Sequence, residues 1–226
     1  MPDPVNHPAP APFRSGESPE LAASLEALFH ADPDLRRARQ VAGALPDRRR
    51  PPGLKTLMKL IVDQQVSLAS AAAIWTRVEA GTVPFTATRF LQLDDTALKG
   101  MGLSRPKMRY MRALSADIAD GSLPLERLDT LPDDDAMAAL TAVTGIGRWT
   151  AEVYLLFALN RPDIFPSGDL ALQVAVQDLK GLQQRPGDRA LREMAEAWRP
   201  HRGVAARLLW RYYGIVRKRA DPVSID

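Results

Sequence analysis

The stretch Leu140-Thr-Ala-Val-Thr-Gly-Ile-Gly-Arg-Trp-Thr-Ala151 decides how the rest of this sequence is interpreted. Gly145 and Gly147 flank an apolar Ile146 between two runs with helical periodicity. A residue without a Cβ lets the backbone approach a ligand closely, and a helix that begins after such a turn presents unsatisfied amides to an anion. The pattern is typical of a phosphate-binding turn, and equally of a plain connection between two packed helices.

A second feature lies downstream, in Pro166-Ser-Gly-Asp-Leu170. The carboxylate of Asp169 can stabilise positive charge that develops on a sugar, or it can orient a water molecule. An aspartate in this position is also an ordinary cap for the start of the next helix. The residues alone leave both interpretations open.

Together these motifs resemble the signature of the helix-hairpin-helix DNA glycosylase superfamily, and the chain is similar to the 3-methyladenine DNA glycosylase II branch of it. Three more segments match in the family's order: Leu60-Ile-Val-Asp-Gln-Gln-Val-Ser67 with the alanine-rich run after it, Gly102-Leu-Ser-Arg-Pro-Lys107, and Trp198-Arg-Pro-His-Arg202 through Leu209-Trp210. The resemblance covers roughly residues 53 to 215.

The resemblance implies an all-α, two-lobed fold without the additional N-terminal β domain of some relatives. A Pro-rich lead-in (1–17) would precede one lobe made of residues 18–66 and 169–226, and residues 67–168 would form a six-helix lobe with the hairpin at about 140–159. Periodicity and cap signals also favour an all-α chain. The predicted helices are 19–29, 53–63, 67–78, 105–118, 133–142, 148–159, 168–179, 189–198 and 203–217.

The activity that the resemblance implies is excision of alkylated bases, such as 3-methyladenine and 7-methylguanine, by hydrolysis of the N-glycosidic bond with Asp169 as the catalytic residue. Strand-cleaving relatives carry a lysine nucleophile where this chain has Trp149, so a monofunctional enzyme without lyase activity is expected. Trp149 would stack on the extruded base, and Val153 and His201 would complete the substrate site. Some relatives have aromatic residues at these last two positions, so a less aromatic pocket is expected.

Several residues are expected to hold the DNA. By the resemblance, Gln65 would enter the duplex and fill the gap that the flipped nucleotide leaves. Residues 99–112 contain five basic residues and no acid, and residues 199–219 contain seven and no acid. Such runs are also common on solvated helix faces, but beside a phosphate-binding turn they favour a polyanion surface. The expected DNA contacts are Gln65, Gly145, Gly147, Thr150, Arg105 and Lys107.

Composition excludes several kinds of chemistry. The 226 residues include no cysteine, which rules out disulfides, thiolate zinc sites, iron-sulfur clusters and cysteine nucleophiles. No cofactor is expected to be required, although the family's hairpin tends to hold a hard monovalent or divalent cation, here through the backbone carbonyls of Thr141, Val143 and Ile146. We expect a cytoplasmic monomer, nucleoid-associated in a bacterium, that binds double-stranded DNA with alkylated bases and no membrane.

Two other functions stay open at this point. A non-catalytic helix-hairpin-helix protein would grip the DNA backbone in the same way but would release no base. A glycosylase for another base lesion would share the fold and the carboxylate and differ in its pocket.

Overall fold

The computed structural model describes residues 18–217, so the predicted lead-in (1–17) and residues 218–226 of the predicted terminal lobe lie outside the described residues. Within that range the chain is all helical, which confirms the predicted fold class. The α-helices are α1 (Pro19–Ala31), α2 (Pro33–Ala42), α3 (Leu54–Asp63), α4 (Leu68–Gly81), α5 (Ala87–Leu91), α6 (Asp95–Gly100), α7 (Arg105–Ala119), α8 (Asp133–Ala142), α9 (Arg148–Phe157), α10 (Leu170–Lys180), α11 (Asp188–Ala195) and α12 (Arg202–Val216). Short 3-10 turns occur at Leu125–Arg127 and Glu196–Trp198.

Cap residues set the start of several helices. The Ser18 hydroxyl accepts a hydrogen bond from Leu21 N at 3.2 Å, with Pro19 in the first turn of α1, as the sequence predicts. Ser104 precedes α7 in an extended conformation, but its side chain makes no cap hydrogen bond. Ser104 therefore occupies the N-cap position of α7 without forming the cap hydrogen bond.

Helices α2, α5 and α6 do not appear among the predicted helices. Helix α2 follows an Asp32-Pro33 start signal, but it is rich in arginine, and only three of its ten residues, Leu35, Ala38 and Ala42, are buried. Helices α5 and α6 have five and six residues, which is too short to show a helical period.

The packing contacts divide most of the helices into two groups. Helices α1 and α2, from the beginning of the chain, pack on α10 and α12, from its end. In the middle of the chain α5 packs on α7 and α8 packs on α9. Helix α3 packs on α4, α7 and α9, although the predicted boundary assigns it to the terminal lobe. The lobe boundary itself stays a prediction.

A buried carboxylate ties the two ends of the chain together. Asp32 caps α2, and its Oδ2 also accepts hydrogen bonds from Lys180 Nζ at 2.7 Å and Trp198 Nε1 at 3.0 Å. The three residues come from the start of α2, the end of α10 and the 3-10 turn before α12. In the described part of the chain, no helix is long and apolar enough to span a membrane.

Candidate active site

Asp169 lies at the N-terminus of α10 and is 8% exposed. Its carboxylate accepts three hydrogen bonds: Oδ1 from Leu172 N at 3.0 Å and Trp210 Nε1 at 3.1 Å, and Oδ2 from Trp149 Nε1 at 2.7 Å. An ionised carboxylate offers about four acceptor positions, so one position, on Oδ2, stays available for a ligand. Asp169 therefore is a helix cap, as one interpretation of the sequence holds, and it also has capacity for a further contact.

The two indole donors come from different parts of the fold. Trp149 stands in the first turn of α9 and exposes 36% of its surface, whereas Trp210 on α12 is 1% exposed. The Trp210 ring packs on Phe157, with 5.8 Å between ring centroids. Trp210 belongs to one of the matching sequence segments, but its contact with the carboxylate was not predicted. The two residues are 41 positions apart, and no local sequence pattern encodes a bond between them.

The loop before Asp169 is held in place by hydrogen bonds of Ser167, which is fully buried. Its hydroxyl donates to Asp188 Oδ1 at 2.5 Å, and its carbonyl accepts from Gln173 Nε2 at 3.0 Å. The hydrogen bond from Ser167 lowers the pKa of Asp188, with Arg192 adding to the effect. The position of the Asp169 backbone is thereby set by α10 and α11 together.

Behind Trp149 on the same helix lies a buried acid, Glu152, which is 3% exposed. Burial raises the pKa of Glu152 to about 7, although its ion pair with Arg148 Nε at 2.9 Å acts in the opposite direction. Asp188 faces it as a like charge and Arg192 as a second cation. This residue had no distinguishing signal in the sequence.

The hairpin consists of α8, the turn 143–147 and α9. Gly145 has φ +97°, and a Cβ there would come within 2.2 Å of the Tyr110 ring. Gly147 has an ordinary φ of −80°, and a Cβ there would meet no atom within 4 Å. The turn borders a concave surface that encloses a volume of about 560 Å³. No side chain caps the first turn of α9. The amides at this helix start are therefore available to an anion.

The turn between α3 and α4 lies beside the hairpin. Gln65 is exposed at its tip with φ +57°, a left-handed conformation that is uncommon outside glycine. The preceding Gln64 donates from Nε2 to Gly145 O at 3.2 Å and to Thr150 Oγ1 at 3.3 Å. The neighbour of the predicted wedge residue is thus hydrogen-bonded to the predicted phosphate-binding turn.

Some predicted site residues do not reach the surface of the site. Val153 is fully buried on α9, so its side chain is covered by other core residues and does not line an open pocket. Thr150 is 4% exposed, and its hydroxyl accepts from Gln64. His201 precedes the first residue of α12, and its nine-residue separation from Trp210 corresponds to about 13 Å along the helix. The role of His201 in the substrate site therefore stays a prediction.

The two basic residues that are predicted to contact DNA differ in their exposure to solvent. Arg105 is exposed at the start of α7. Lys107 is 7% exposed, and its ammonium donates to Val62 O at 2.6 Å, which stabilises the end of α3. Burial lowers the pKa of Lys107. The prediction that Lys107 contacts DNA is therefore not supported, since its charge is directed into the protein.

The predicted cation ligands Thr141, Val143 and Ile146 all border the concave surface of the hairpin. The Val143 carbonyl also accepts from Ile146 N at 3.0 Å, which leaves it one further acceptor position. Backbone carbonyls in a turn are suitable ligands for a hard cation, so the residues fit such an ion. In residues 18–217 no group of three or more His, Cys, Asp or Glu side chains could hold a metal.

Comparison with known proteins agrees with this geometry. Residues 58–200 match the family model described as HhH-GPD superfamily base excision DNA repair protein. Bacillus subtilis YfjP is 31% identical over 163 residues, which are 69% of this chain and 57% of that protein. DNA-3-methyladenine glycosylase 1 of Schizosaccharomyces pombe is 29% identical over 160 residues, with 69% of this chain and 70% of that protein covered.

Among solved structures, the DNA-3-methyladenine glycosidase of Bacillus halodurans superimposes with a TM-score of 0.79 at 29% identity, over 89% of this chain and 92% of that one. The chain thus spans only just over half the length of YfjP but nearly all of the Bacillus halodurans protein. The family match covers most of the chain and includes the hairpin, Trp149 and Asp169. This chain belongs to the HhH-GPD superfamily of base excision DNA repair proteins.

Proposed function

We propose that this protein is a monofunctional DNA glycosylase that extrudes alkylated bases, such as 3-methyladenine and 7-methylguanine, and hydrolyses their N-glycosidic bonds. The observation that carries this proposal is the 2.7 Å hydrogen bond from Trp149 Nε1 to Asp169 Oδ2. It joins an exposed aromatic ring and a buried carboxylate in one site. Relatives of similar sequence are named DNA-3-methyladenine glycosylases, which supports the same substrate class.

The chemistry follows from the charge of the substrate. A purine alkylated at N3 or N7 is cationic, and the electron-rich face of an exposed indole attracts a cationic ring. When the glycosidic bond breaks, the base takes the bonding electrons and leaves as a neutral molecule, while positive charge passes to the deoxyribose. The Asp169 carboxylate would stabilise that charge and orient the water that completes hydrolysis.

The residue at position 149 also supports the monofunctional assignment. A lyase needs an amine that attacks the sugar and forms a Schiff base, and an indole offers no such nucleophile. The Trp149 side chain already lies against the catalytic carboxylate. Borohydride should therefore trap no covalent complex between this protein and damaged DNA, and a trapped complex would contradict the assignment.

We also propose that the chain acts as a monomer on double-stranded DNA, held through the hairpin amides, the tip of the turn at Gln65 and the exposed Arg105. Contacts of this kind track phosphates rather than read sequence. The hairpin carbonyls of Thr141, Val143 and Ile146 would hold a hard cation, which would order the turn for phosphate binding. Weaker DNA binding in a buffer with only bulky organic cations would support that role.

The decisive experiment uses methylated duplex DNA and identifies the free bases by chromatography. Wild type should release methylpurines, and Asp169→Asn should lower the single-turnover rate by roughly a hundredfold or more, because the amide cannot stabilise a cationic sugar. DNA binding should be largely retained. Asp163→Asn is the matched control, since that acid of the same segment pairs with Arg199 and Arg202 rather than with the indoles of Trp149 and Trp210.

The outcomes separate the alternative functions. DNA binding by wild type without release of any base would favour the non-catalytic hairpin protein. Release of a different damaged base, with the same dependence on Asp169, would retain the mechanism and change the substrate. Equal release by wild type and Asp169→Asn would contradict the catalytic role of this carboxylate.

A further inference from the structure

The turn between α3 and α4 holds a strained residue at its exposed tip. Gln65 has φ +57°, one of only two non-glycine residues with positive φ in residues 18–217. A non-glycine residue in this conformation costs on the order of 1 kcal/mol and persists where the surroundings determine it strongly. Neighbouring contacts must therefore fix this turn.

Two contacts anchor the residues that precede Gln65 in the turn. The Lys107 ammonium donates to Val62 O at 2.6 Å and fixes the end of α3. Two residues after Val62, Gln64 Nε2 donates to Gly145 O at 3.2 Å and to Thr150 Oγ1 at 3.3 Å. Gln64 is therefore the side chain that bridges from this turn to the hairpin turn and to α9.

The hairpin turn that accepts this hydrogen bond packs tightly on α7. Gly145 packs so closely on Tyr110 that a Cβ would come within 2.2 Å of the ring. Tyr110 and Lys107 are one turn apart on α7, so the same helix supports the hairpin and the end of α3. Gln64 closes this arrangement with its two amide hydrogens.

We propose that Gln64 is a positioning residue that couples the phosphate-binding hairpin to the turn that enters the duplex. Through this coupling, binding of the DNA backbone at 143–147 sets the distance and direction from which Gln65 approaches the base stack. Without it, the turn would have to be ordered during extrusion, at an entropic cost. The inference rests on the proposed function, because it assumes that Gln65 fills the space of an extruded base.

A purely structural role for Gln64 makes a different prediction. Its two acceptors border a concave surface that is open to solvent, so water can replace the amide if the side chain is removed. Gln64→Met keeps the length and the charge but removes both hydrogen bonds. We therefore expect little change in melting temperature, whereas a structural role would lower stability and affect every substrate alike.

The first experiment measures base release in single turnovers. The lesion is 7-methylguanine, either paired with cytosine or placed opposite a missing base. Gln64→Met should be roughly tenfold slower on the paired lesion, which is the effect of losing one to two neutral hydrogen bonds, and should be close to wild type on the unpaired lesion. Gln183→Met, in an exposed loop, is the control for the exchange of Gln for Met.

The second experiment measures coupling between the two glutamines. Gln65→Ala and the double variant are compared on the paired lesion in a double-mutant cycle. If Gln64 acts through Gln65, the double variant should be no slower than Gln65→Ala alone. Fully additive effects, or an equal loss on paired and unpaired lesions, would overturn the proposal.

A third measurement separates this proposal from the proposed function. In the Asp169→Asn background, 2-aminopurine in a duplex reports extrusion by its rise in fluorescence, without any base release. Gln64→Met should lower that rise roughly tenfold while affinity for undamaged duplex stays close to that of the parent. Absence of base release by wild type would contradict the glycosylase. A fluorescence rise in Gln64→Met equal to that of the parent, or no rise in the parent itself, would contradict the coupling.

Discussion

Trp149 combines an exposed aromatic ring with a hydrogen-bond donor to Asp169, and a single substitution can separate the two. The indole presents its face to solvent and its N–H to Asp169 Oδ2. Trp149→Phe keeps an aromatic face and removes the donor. We expect DNA binding to persist and base release to fall roughly ten- to a hundredfold, the effect of losing one hydrogen bond to a charged group.

Single-turnover kinetics with Trp149→Ala alongside would test this expectation. If the ring served only for stacking, Trp149→Phe would work nearly as well as wild type and only Trp149→Ala would fail.

The two glycines of the hairpin turn should respond differently to the same change. Gly145→Ala introduces strain at φ +97° and a clash with Tyr110, so it should lower both stability, by roughly 1–3 kcal/mol, and DNA affinity. Gly147→Ala meets no atom of the protein, so it should lower only DNA affinity, where a phosphate approaches the backbone. Thermal melting and a DNA titration distinguish the two. Normal DNA affinity in Gly147→Ala would place the phosphate elsewhere.

At the scale of one helix, α9 contains a carboxyl group whose protonation is linked to folding. The pKa of Glu152 is about 7 in the folded protein and about 4.5 in the unfolded chain. The folded state therefore binds more protons between these values, and stability should fall as pH rises from about 4.5 through 7, by at most roughly 3 kcal/mol. Glu152→Gln should remove this dependence and be more stable than wild type at pH 8.

Urea denaturation at pH 5.5 and pH 8 would measure the linkage. Glu193→Gln is the control, because its side chain is 67% exposed in a surface ion pair. A pH dependence that is the same in wild type and Glu152→Gln would show that Glu152 does not carry the effect.

Most elements could be predicted from the sequence, and the exceptions have physical reasons. Caps and apolar periodicity indicate α1, α7 and α9, but α5 and α6 have less than two helical turns each, too few for the apolar pattern to repeat. The hairpin and Asp169 are local motifs and were therefore recognisable. The bonds from Trp210 to Asp169 and from Gln64 to Gly145 span 41 and 81 residues, and no local pattern encodes them.

The two basic runs also form contacts that their local sequence does not predict. The run 99–112 has no acid in sequence, yet Arg112 pairs with Asp95 at 2.9 Å and Lys107 points into the protein. In the run 199–219, Arg199 and Arg202 both pair with Asp163. Sequence patterning predicts where basic residues occur, but the fold determines which of them remain available to a polyanion.

At the scale of the whole molecule, Asp32 joins helices from the two ends of the chain. Asp32→Asn preserves the volume and the helix cap but weakens the bonds to Lys180 and Trp198, so we expect stability to fall by roughly 2 kcal/mol. Asp34→Asn, whose side chain is 28% exposed beside the same lysine, should cost less. Base release below the melting temperature should stay normal in both variants. A slower excision step in Asp32→Asn would indicate that this junction also influences the site.

The bond between Trp210 and Asp169 has a consequence for protein synthesis. Domains emerge from the ribosome N-terminal end first, at about 5–20 residues per second. The hairpin and Asp169 are therefore made before α12, and the carboxylate lacks its Oδ1 indole donor until Trp210 has left the exit tunnel. A chain released early, after α11, would contain the hairpin sequence but lack both Trp210 and the helix on which α1, α2 and α10 pack. Such a fragment would have neither the complete carboxylate site nor the packing of its terminal helices, so we expect base release to require synthesis through α12.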